Sequence, residues 1–176
     1  MRVLVIGASR GLGREFVRQY LAERAQVTAT ARSATGVAEL EALGASAFVL
    51  DVADAVSASG LAWRVDNAGF DVAIVNAGVY GPRTAGLDSP TAADFDAVMH
   101  TNVLGAMRVI PQLADALAPG ARLAVLSSRM GSIGERAASS GWLYRASKAA
   151  LNSVLKDVAL QLAGRATCIA FHPGWV

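Results

Sequence analysis

The sequence predicts an α/β fold in which a doubly wound parallel sheet lies between two layers of helices. Short apolar runs rich in β-branched residues alternate with amphipathic stretches of helical length along all 176 residues, and this alternation is typical of βαβ units. The first apolar run leads directly into a glycine-rich turn. The length fits one folded unit, and we expect a single domain over residues 1–176.

The alternation predicts six strands and five helices. We expect strands near 2–6, 26–30, 46–50, 71–75, 121–127 and 166–171, and helices near 11–24, 36–43, 53–65, 91–117 and 142–163. Pro111 should kink the fourth helix, because proline lacks the amide hydrogen that a helix interior uses. Since right-handed crossovers join parallel strands, the side chains that follow each strand should meet at the carboxyl edge of the sheet.

Composition argues against several classes of protein and of site. The hydrophobic fraction is 53% and the mean hydropathy is +0.39, yet charged residues interrupt each apolar stretch before it reaches a membrane-spanning length of about 18 residues. Lys and Arg number 16 against 14 Asp and Glu, with no basic cluster, which argues against nucleic-acid binding. Cys168 is the single cysteine, and neither His100 nor His172 has a partner at metal-ligand spacing, so we expect no disulfide and no metal. The first strand begins at once, without the features of a signal peptide, so we expect a cytoplasmic protein.

The turn after the first strand has the composition of a phosphate-binding loop. Its glycines follow the pattern G-x-x-x-G-x-G, between a strand and a helix. Such a turn directs free amide hydrogens and the positive end of the helix dipole at a pyrophosphate. Because no Gly-Lys-Ser/Thr follows, a P-loop is disfavoured and dinucleotide binding in a Rossmann fold is favoured; a purely structural turn is the alternative. The candidate residues are Gly7, Ser9, Arg10, Gly11, Leu12 and Gly13.

The end of the second strand indicates which dinucleotide would bind. An acidic residue there would accept the adenosine ribose hydroxyls, but the sequence has Arg32, which suits a 2′-phosphate. With Arg10 as a second positive charge, we predict NADP(H) in preference to NAD(H); the alternative is a solvated Arg32 at a helix entry. Asp51, beside Val52 after the third strand, either accepts a hydrogen bond from the adenine or caps the next helix. A group of small residues after the fourth strand would border the cofactor or form a plain turn: Asn76, Ala77 and Gly78.

Tyr144 and Lys148 are the candidate catalytic pair. Their i,i+4 spacing places both on one helix face, where the ammonium would stabilise the phenolate and lower the pKa of the phenol from its ordinary value near 10. Such a tyrosine donates a proton to a carbonyl oxygen, or removes one from an alcohol. Ser128 follows the fifth strand, where its hydroxyl would hydrogen-bond the substrate carbonyl. Asn102, inside the fourth helix, either anchors a water that relays protons to Lys148 or bends the helix.

Together these motifs resemble the short-chain dehydrogenase/reductase family, and their order matches over essentially the whole chain. The resemblance implies a catalytic tetrad of Asn102, Ser128, Tyr144 and Lys148. It also implies that Tyr144 is the general acid/base and that Tyr144 and Lys148 contact the cofactor. The residues that carry the resemblance are the turn from Gly7 to Gly13, Asn76-Ala77-Gly78, Asn102, Ser127-Ser128, Tyr144 with Lys148, and Pro173-Gly174.

The resemblance extends to subgroups of the family. Arg32 resembles the NADPH-preferring members, and segments 127–133 and 144–148 are similar to C-factor-like and sniffer-like carbonyl reductases. Pro173 and Gly174 are implied to lie beside the nicotinamide. Ser128 precedes Tyr144 by more positions than is usual, and we assign it because Gly131 then completes the family's Ser-Ser-x-x-Gly turn. Members of the family continue past the position of Val176 into a substrate-covering segment and a last strand, which we expect to be missing here.

We therefore predict an NADP(H)-dependent oxidoreductase that transfers a hydride between the nicotinamide and a carbonyl or alcohol. Its substrates are expected to be fairly apolar aldehydes or ketones of small or medium size, with Trp142 and Trp175 lining their pocket. One alternative is a dinucleotide-binding signalling or regulatory protein with little turnover. A nucleotide-sugar epimerase or dehydratase is disfavoured by the glycine spacing. Because related proteins pair through the helices near 91–117 and 142–163, a homodimer and a homotetramer are both open.

Overall fold

Within residues 1–83 and 87–174, which the computed structural model describes, six strands form one parallel sheet. The strands are β1 (Arg2–Ile6), β2 (Gln26–Ala31), β3 (Ser46–Val49), β4 (Phe70–Val75), β5 (Leu117–Leu126) and β6 (Ala166–Phe171). Their spatial order is β3-β2-β1-β4-β5-β6, and every neighbouring pair runs parallel. The sheet is thus built outward from β1 in both directions, and a crevice forms at the carboxyl ends of β1 and β4, where the winding reverses.

Helices cover both faces of the sheet. Those in the described residues are α1 (Gly11–Ala22), α2 (Ala34–Ala42), α3 (Ala55–Ser59), α4 (Leu61–Arg64), α5 (Ala92–Met99), α6 (Gly105–Leu113) and α7 (Trp142–Gln161). A π-helical turn, His100–Leu104, joins α5 to α6, and 3₁₀ turns at Ala114–Ala116 and Arg129–Gly131 precede and follow β5. None of the described helices combines the length and apolar character needed to cross a membrane.

Two apolar cores lie on opposite faces of the sheet. Val3 and Val5 of β1 belong to one core and Leu4 and Ile6 to the other, and all four are fully buried. This alternation follows from the two-residue period of a strand. Residues of α1 and α2 pack into the first core, and residues of α4, α6 and α7 into the second. The predicted three-layer α/β/α architecture is therefore confirmed.

The helices differ from the prediction more than the strands do. The helix predicted over 53–65 is two short helices that meet at Gly60. The end of the helix predicted over 91–117 belongs instead to β5, because Leu117 pairs with Phe70 ahead of a register shift. The same predicted helix departs from α-helical hydrogen bonding at His100–Leu104, whereas Pro111, expected to kink it, lies inside α6.

An apolar cavity of about 320 Å³ lies between α6 and α7. Its lining includes Met107, Ile110 and Pro111 from α6, and Val154 and Val158 from α7. These helices lie within the predicted helices near 91–117 and 142–163, which the family resemblance implies as a pairing surface. The oligomeric state stays a prediction.

Gly105 offers a test of the packing between α6 and the loop after β3. A Cβ atom at Gly105 would lie 2.8 Å from Cγ2 of the buried Val52. We expect Gly105→Ala to lower the free energy of unfolding by about 1–2 kcal/mol, since the cost of overpacking exceeds the roughly 1 kcal/mol that alanine gains over glycine in a helix. Urea unfolding measures the change. In the control Gly60→Ala the Cβ meets nothing within 4 Å, and stability equal to the parent in both variants would contradict this packing.

Candidate active site

The glycine turn packs tightly against the loop that follows β4. Gly7 has a φ of +84°, a left-handed conformation that favours glycine. Its amide donates to Thr30 Oγ1 at 3.0 Å, and its carbonyl oxygen accepts from Asn76 Nδ2 at 2.6 Å. A Cβ atom at Gly13 would lie 2.6 Å from Asn76 Nδ2 and 2.9 Å from the Cα of Ala8. The turn therefore has no room for a side chain at Gly13, and it brings the amino end of α1 to the crevice.

A cavity of about 520 Å³, here called the phosphate cavity, opens at this edge of the sheet. Every cofactor-binding residue predicted from the first four strands lines it except Gly13, which lies beneath the turn. The lining residues are Gly7, Ser9, Arg10, Gly11, Leu12, Arg32, Leu50, Asp51, Val52, Ala53, Asn76, Ala77, Gly78 and Thr101. One cavity thus gathers residues from the ends of four parallel strands.

The phosphate cavity is positively charged at one end. Arg10 and Arg32 are exposed, and neither forms an ion pair with any residue that the structure describes. Ser33, next to Arg32, caps α2 by accepting a hydrogen bond from the amide of Gly36 at 3.1 Å. Two guanidinium groups and the amino end of a helix therefore surround this end, an arrangement that favours an anion.

Asp51 has a different role from the helix cap considered in the sequence analysis. Its Oδ1 accepts a hydrogen bond from the amide of Ala53 at 2.9 Å, which closes a turn. The cap of α3 is Asp54, whose side chain accepts from the amide of Ser57 at 2.8 Å. The helix-cap interpretation of Asp51 is thus wrong, and contact with an adenine stays a prediction.

Asn102 is buried in the π-helical turn and holds two elements together. Its Oδ1 accepts from the amide of Val79, and its Nδ2 donates to the carbonyl oxygen of Val79, both at 2.8 Å. Nδ2 also donates to Ser147 Oγ at 2.9 Å, and that hydroxyl donates to the carbonyl oxygen of Tyr144 at 2.8 Å. Both amide hydrogens are therefore engaged by protein atoms, so the side chain fixes the loop after β4 against α7. The predicted water relay stays a prediction.

Lys148 is almost completely buried, with 4% of its surface exposed. Its Nζ donates to the carbonyl oxygen of Leu126 at 2.7 Å, at the end of β5. A Cβ atom at Gly78 would lie 3.4 Å from this Nζ, which shows how closely the loop after β4 covers the lysine. Burial lowers the pKa of Lys148 to about 8, because an ammonium loses hydration when it is removed from water.

Tyr144 lies beside Lys148 with its ring stacked on that of Tyr80. The two ring centroids are 4.6 Å apart and the planes differ by 24°. Burial raises the pKa of Tyr144; a hydrogen bond with the Ser128 side chain lowers it in part, and Tyr80 raises it further. Lys148 Nζ lies 5.7 Å from the centre of the Tyr144 ring. The sequence-based expectation of a lowered phenol pKa is therefore wrong for this structure, since burial has the larger effect.

Two further cavities continue the phosphate cavity past these side chains. A cleft of about 180 Å³, the tyrosine cleft, shares Leu12, Asn76 and Gly78 with it. The other residues that line the tyrosine cleft are Val79, Tyr80, Leu126, Ser127, Tyr144, Lys148 and Pro173. The outer cavity, of about 650 Å³, is lined by Tyr80, Gly81, Arg83, Ser127, Ser128, Arg129, Met130, Ser140, Gly141, Tyr144, His172, Pro173 and Gly174. Each cavity shares lining residues with the next, so the three adjoin one another along the carboxyl edge of the sheet and are here called the groove.

The outer cavity brings Ser128 and Tyr144 together as predicted, along with Pro173 and Gly174. Ser128 begins the 3₁₀ turn, and its Oγ accepts from the amide of Met130 at 3.1 Å. Trp142, predicted to line a substrate pocket, is not among the described lining residues of this cavity. Trp175 lies outside the described residues.

Sequence reasoning missed Tyr80, which lines both the tyrosine cleft and the outer cavity. A signal was present, because Tyr80 stands two positions after the Asn-Ala-Gly segment at the end of β4. Ser127 was also given no separate role, yet it is buried and its Oγ donates to Asn152 Oδ1 at 2.6 Å, which connects the end of β5 to α7.

Comparison with known proteins agrees with this geometry. A profile of the short chain dehydrogenase family matches residues 1–176. Cis-2,3-dihydrobiphenyl-2,3-diol dehydrogenase of Pseudomonas putida is 30% identical over 99% of this chain. C-signal of Myxococcus xanthus is 38% identical over 60% of this chain. The chain aligns with 65% of the length of each of these two curated relatives.

Solved structures lead to the same family. A short-chain dehydrogenase/reductase from Burkholderia multivorans with bound NADP superposes with a TM-score of 0.91 at 32% identity, over 99% of this chain and 79% of that one. A carbonyl reductase from Pseudomonas aeruginosa PAO1 in complex with NADP superposes with a TM-score of 0.89 at 31% identity, over 99% of this chain and 83% of that one. The glycine turn, the buried lysine beside a tyrosine, and the match over the whole length agree: the chain belongs to the short-chain dehydrogenase family.

Proposed function

We propose that this protein is an NADP(H)-dependent oxidoreductase that transfers a hydride between the nicotinamide and a carbonyl or alcohol substrate. The observation that carries the proposal is the groove of three adjoining cavities. Arg32 lines the first cavity, Tyr144 and Lys148 line the middle one, and Ser128 lines the last. A dinucleotide is long enough to require such a groove, and a carbonyl compound requires the further space past the tyrosine.

The residues of the phosphate cavity fit a dinucleotide. The left-handed Gly7 and the side-chain-free Gly13 let the amino end of α1 approach a pyrophosphate, and the lining residues Ser9, Gly11 and Leu12 lie at the same turn. Arg32, with Arg10 near it, is the proposed partner of the adenosine 2′-phosphate. Asp51 and Val52 are proposed to border the adenine. The NADP complexes of the similar Burkholderia and Pseudomonas proteins support this choice of cofactor.

The residues farther along the groove fit the nicotinamide half. Asn76, Ala77 and Gly78 line the phosphate cavity, and the first and last of them also line the tyrosine cleft. Pro173 lines the same cleft, and Gly174 lines the outer cavity. We propose that these residues border the nicotinamide and its ribose. When bound, the nicotinamide supplies or accepts the hydride.

Tyr144 is the proposed general acid/base. Burial raises its pKa, so the phenol holds the proton that it would donate to a carbonyl oxygen. Ser128 is proposed to donate a hydrogen bond to the same oxygen as negative charge develops there. Lys148, with a pKa of about 8, carries its positive charge at pH 7 beside this oxygen and the cofactor ribose. Asn102 positions Lys148 and Tyr144 through Ser147 and the loop after β4.

A signalling or regulatory protein that only binds the dinucleotide is the second candidate. Such a protein needs the phosphate cavity and gains from Lys148 at the cofactor, but it has no use for the acidic hydroxyl of Tyr144. Burying that ammonium costs stability, as the lowered pKa of Lys148 indicates. The pairing of this costly group with a tyrosine that lines the outer cavity therefore supports turnover over binding alone.

Removing the hydroxyl of Tyr144 tests the proposed proton transfer. We expect Tyr144→Phe to lower kcat/KM for carbonyl reduction by about 10²- to 10⁴-fold, the range typical of a general acid, because the ring and its stack on Tyr80 remain but the proton is lost. NADPH oxidation followed by absorbance measures the rate. The control Tyr20→Phe changes a tyrosine of α1 that lines none of the three cavities. Equal turnover by the parent and Tyr144→Phe would refute the catalytic assignment.

Reversing the charge at Arg32 tests the choice of cofactor. We expect the parent to bind NADPH more tightly than NADH, and Arg32→Asp to weaken NADPH binding by about tenfold or more, because a charge-assisted hydrogen bond is replaced by repulsion. Isothermal titration with each cofactor gives the dissociation constants. Arg136→Asp lies outside the three cavities and makes the same change in net charge. It should leave the ratio of the NADPH and NADH dissociation constants unchanged. A parent that binds both cofactors equally would overturn the preference.

The lowered pKa of Lys148 predicts a pH-dependent stability. The folded value of about 8 lies below the ordinary 10.5, so the unfolded state binds more protons and stability rises with pH between these values. This group alone should add about 2 kcal/mol to the free energy of unfolding from pH 7 to 9.5. Urea unfolding of the parent and of Lys148→Met at both pH values measures the contribution of Lys148. The free energy of unfolding of the methionine variant should lack this increase between pH 7 and 9.5. The same change of stability with pH in both proteins would show that the ammonium is not buried as described. In a separate assay of activity, Lys148→Met should also lose turnover.

A further inference from the structure

The outer cavity combines an apolar wall with unpaired positive charge. Tyr80, Met130 and Pro173 supply apolar surface, whereas Arg83 and Arg129 supply two guanidinium groups. No Asp or Glu is among the described residues that line this cavity, and neither arginine forms an ion pair with a described residue. The volume of about 650 Å³ falls in the range of about 300–1,000 Å³ typical of small-molecule sites.

The two arginines are close in sequence to the groups that would act on the substrate. Arg129 directly follows Ser128 and is the first residue of the 3₁₀ turn that Ser128 caps. Arg83 lies three positions after Tyr80, whose ring stacks on Tyr144. Each arginine therefore lies on a loop that also positions a residue at the reaction centre. Both are solvent-exposed, and the described residues provide no ion-pair partner for either.

We propose that the outer cavity selects carbonyl substrates that also carry a carboxylate, held by Arg83 and Arg129 while the carbonyl lies against Ser128 and Tyr144. The planar guanidinium matches a carboxylate in two-pronged geometry, and the apolar wall accommodates the carbon skeleton between the two ends. This refines the fairly apolar aldehyde or ketone expected from the sequence. The inference rests on the proposed oxidoreductase function, because it assigns the substrate of that same site.

The test compares two aldehydes that share one skeleton. 4-Carboxybenzaldehyde carries the negative charge, and methyl 4-formylbenzoate is its neutral counterpart. The full chain with NADPH should reduce the acid with a higher kcat/KM than the ester. In the double variant Arg83→Gln/Arg129→Gln, the acid-to-ester ratio of kcat/KM should fall about tenfold. The fall should come from a higher KM for the acid, because charge-assisted hydrogen bonds to its carboxylate are lost. Arg136→Gln removes the same kind of charge from the loop before α7, outside the cavity, and should leave the ratio unchanged.

A binding measurement separates this inference from the proposed function. 4-Methylbenzoate, which carries no reducible carbonyl, is titrated calorimetrically into the parent, the double variant and the control in the presence of NADP⁺. Binding that depends on Arg83 and Arg129 supports the inference even where no aldehyde is reduced, an outcome that would reject only the oxidoreductase function. Reduction of both aldehydes with an acid-to-ester ratio that the double variant does not change overturns the inference alone. Absence of both turnover and arginine-dependent binding rejects both.

Discussion

The hydrogen bond from Lys148 Nζ to the carbonyl oxygen of Leu126, 2.7 Å long, is the contact on which the geometry of the site depends. It joins the middle of α7 to the carboxyl end of β5 and so fixes Tyr144, one helical turn earlier, over the groove. A buried ammonium is costly unless polar groups surround it, and here the neighbouring backbone can approach only because side chains are missing. A Cβ atom at Gly131 would lie 2.8 Å from the carbonyl carbon of Lys148, and one at Gly78 would lie 3.4 Å from its Nζ. Gly78 and Gly131 are therefore needed to make room around the buried lysine, and not only to make room for a cofactor.

The parts of the fold and site that could be predicted are those encoded by local patterns. The alternation of apolar runs and amphipathic stretches was enough to predict a parallel sheet. A parallel sheet brings the carboxyl ends of its strands, and with them Gly7, Arg32 and Asn76, to one edge. Contacts between side chains of separate loops could not be predicted in this way. The stack of Tyr80 on Tyr144 depends on how the loop after β4 meets α7. The direction of the Tyr144 pKa was missed for the same reason, because spacing gives proximity to a charge whereas burial is set by the whole fold.

The fourth predicted helix departs from α-helical hydrogen bonding at a buried polar side chain. The sequence predicted a kink at Pro111 and offered a bend at Asn102 as one alternative. Pro111 lies inside α6, and the hydrogen bonding changes at the turn that contains Asn102. A π-helical turn within a helix frequently marks a functional site. Asn102 has protein partners for its Oδ1 and for both hydrogens of its Nδ2, and this arrangement holds the loop after β4 and α7 at a set separation. The turn is thus explained by long-range contacts that a linear sequence pattern does not contain.

The charged residues that line the groove are mainly basic, although the whole chain carries almost as many acidic residues as basic ones. The chain has a net charge of only +2, yet arginines stand at both ends of the groove and a lysine in its middle, while Asp51 is the single acidic residue among its described lining residues. One oxygen of Asp51 is already engaged by the amide of Ala53. Clefts lined by one sign of charge concentrate ligands of the opposite sign, and this effect weakens as salt is added. A groove with this excess of positive charge therefore favours anionic groups at both of its ends, the phosphates of a dinucleotide on one side of Tyr144 and an acidic substrate on the other.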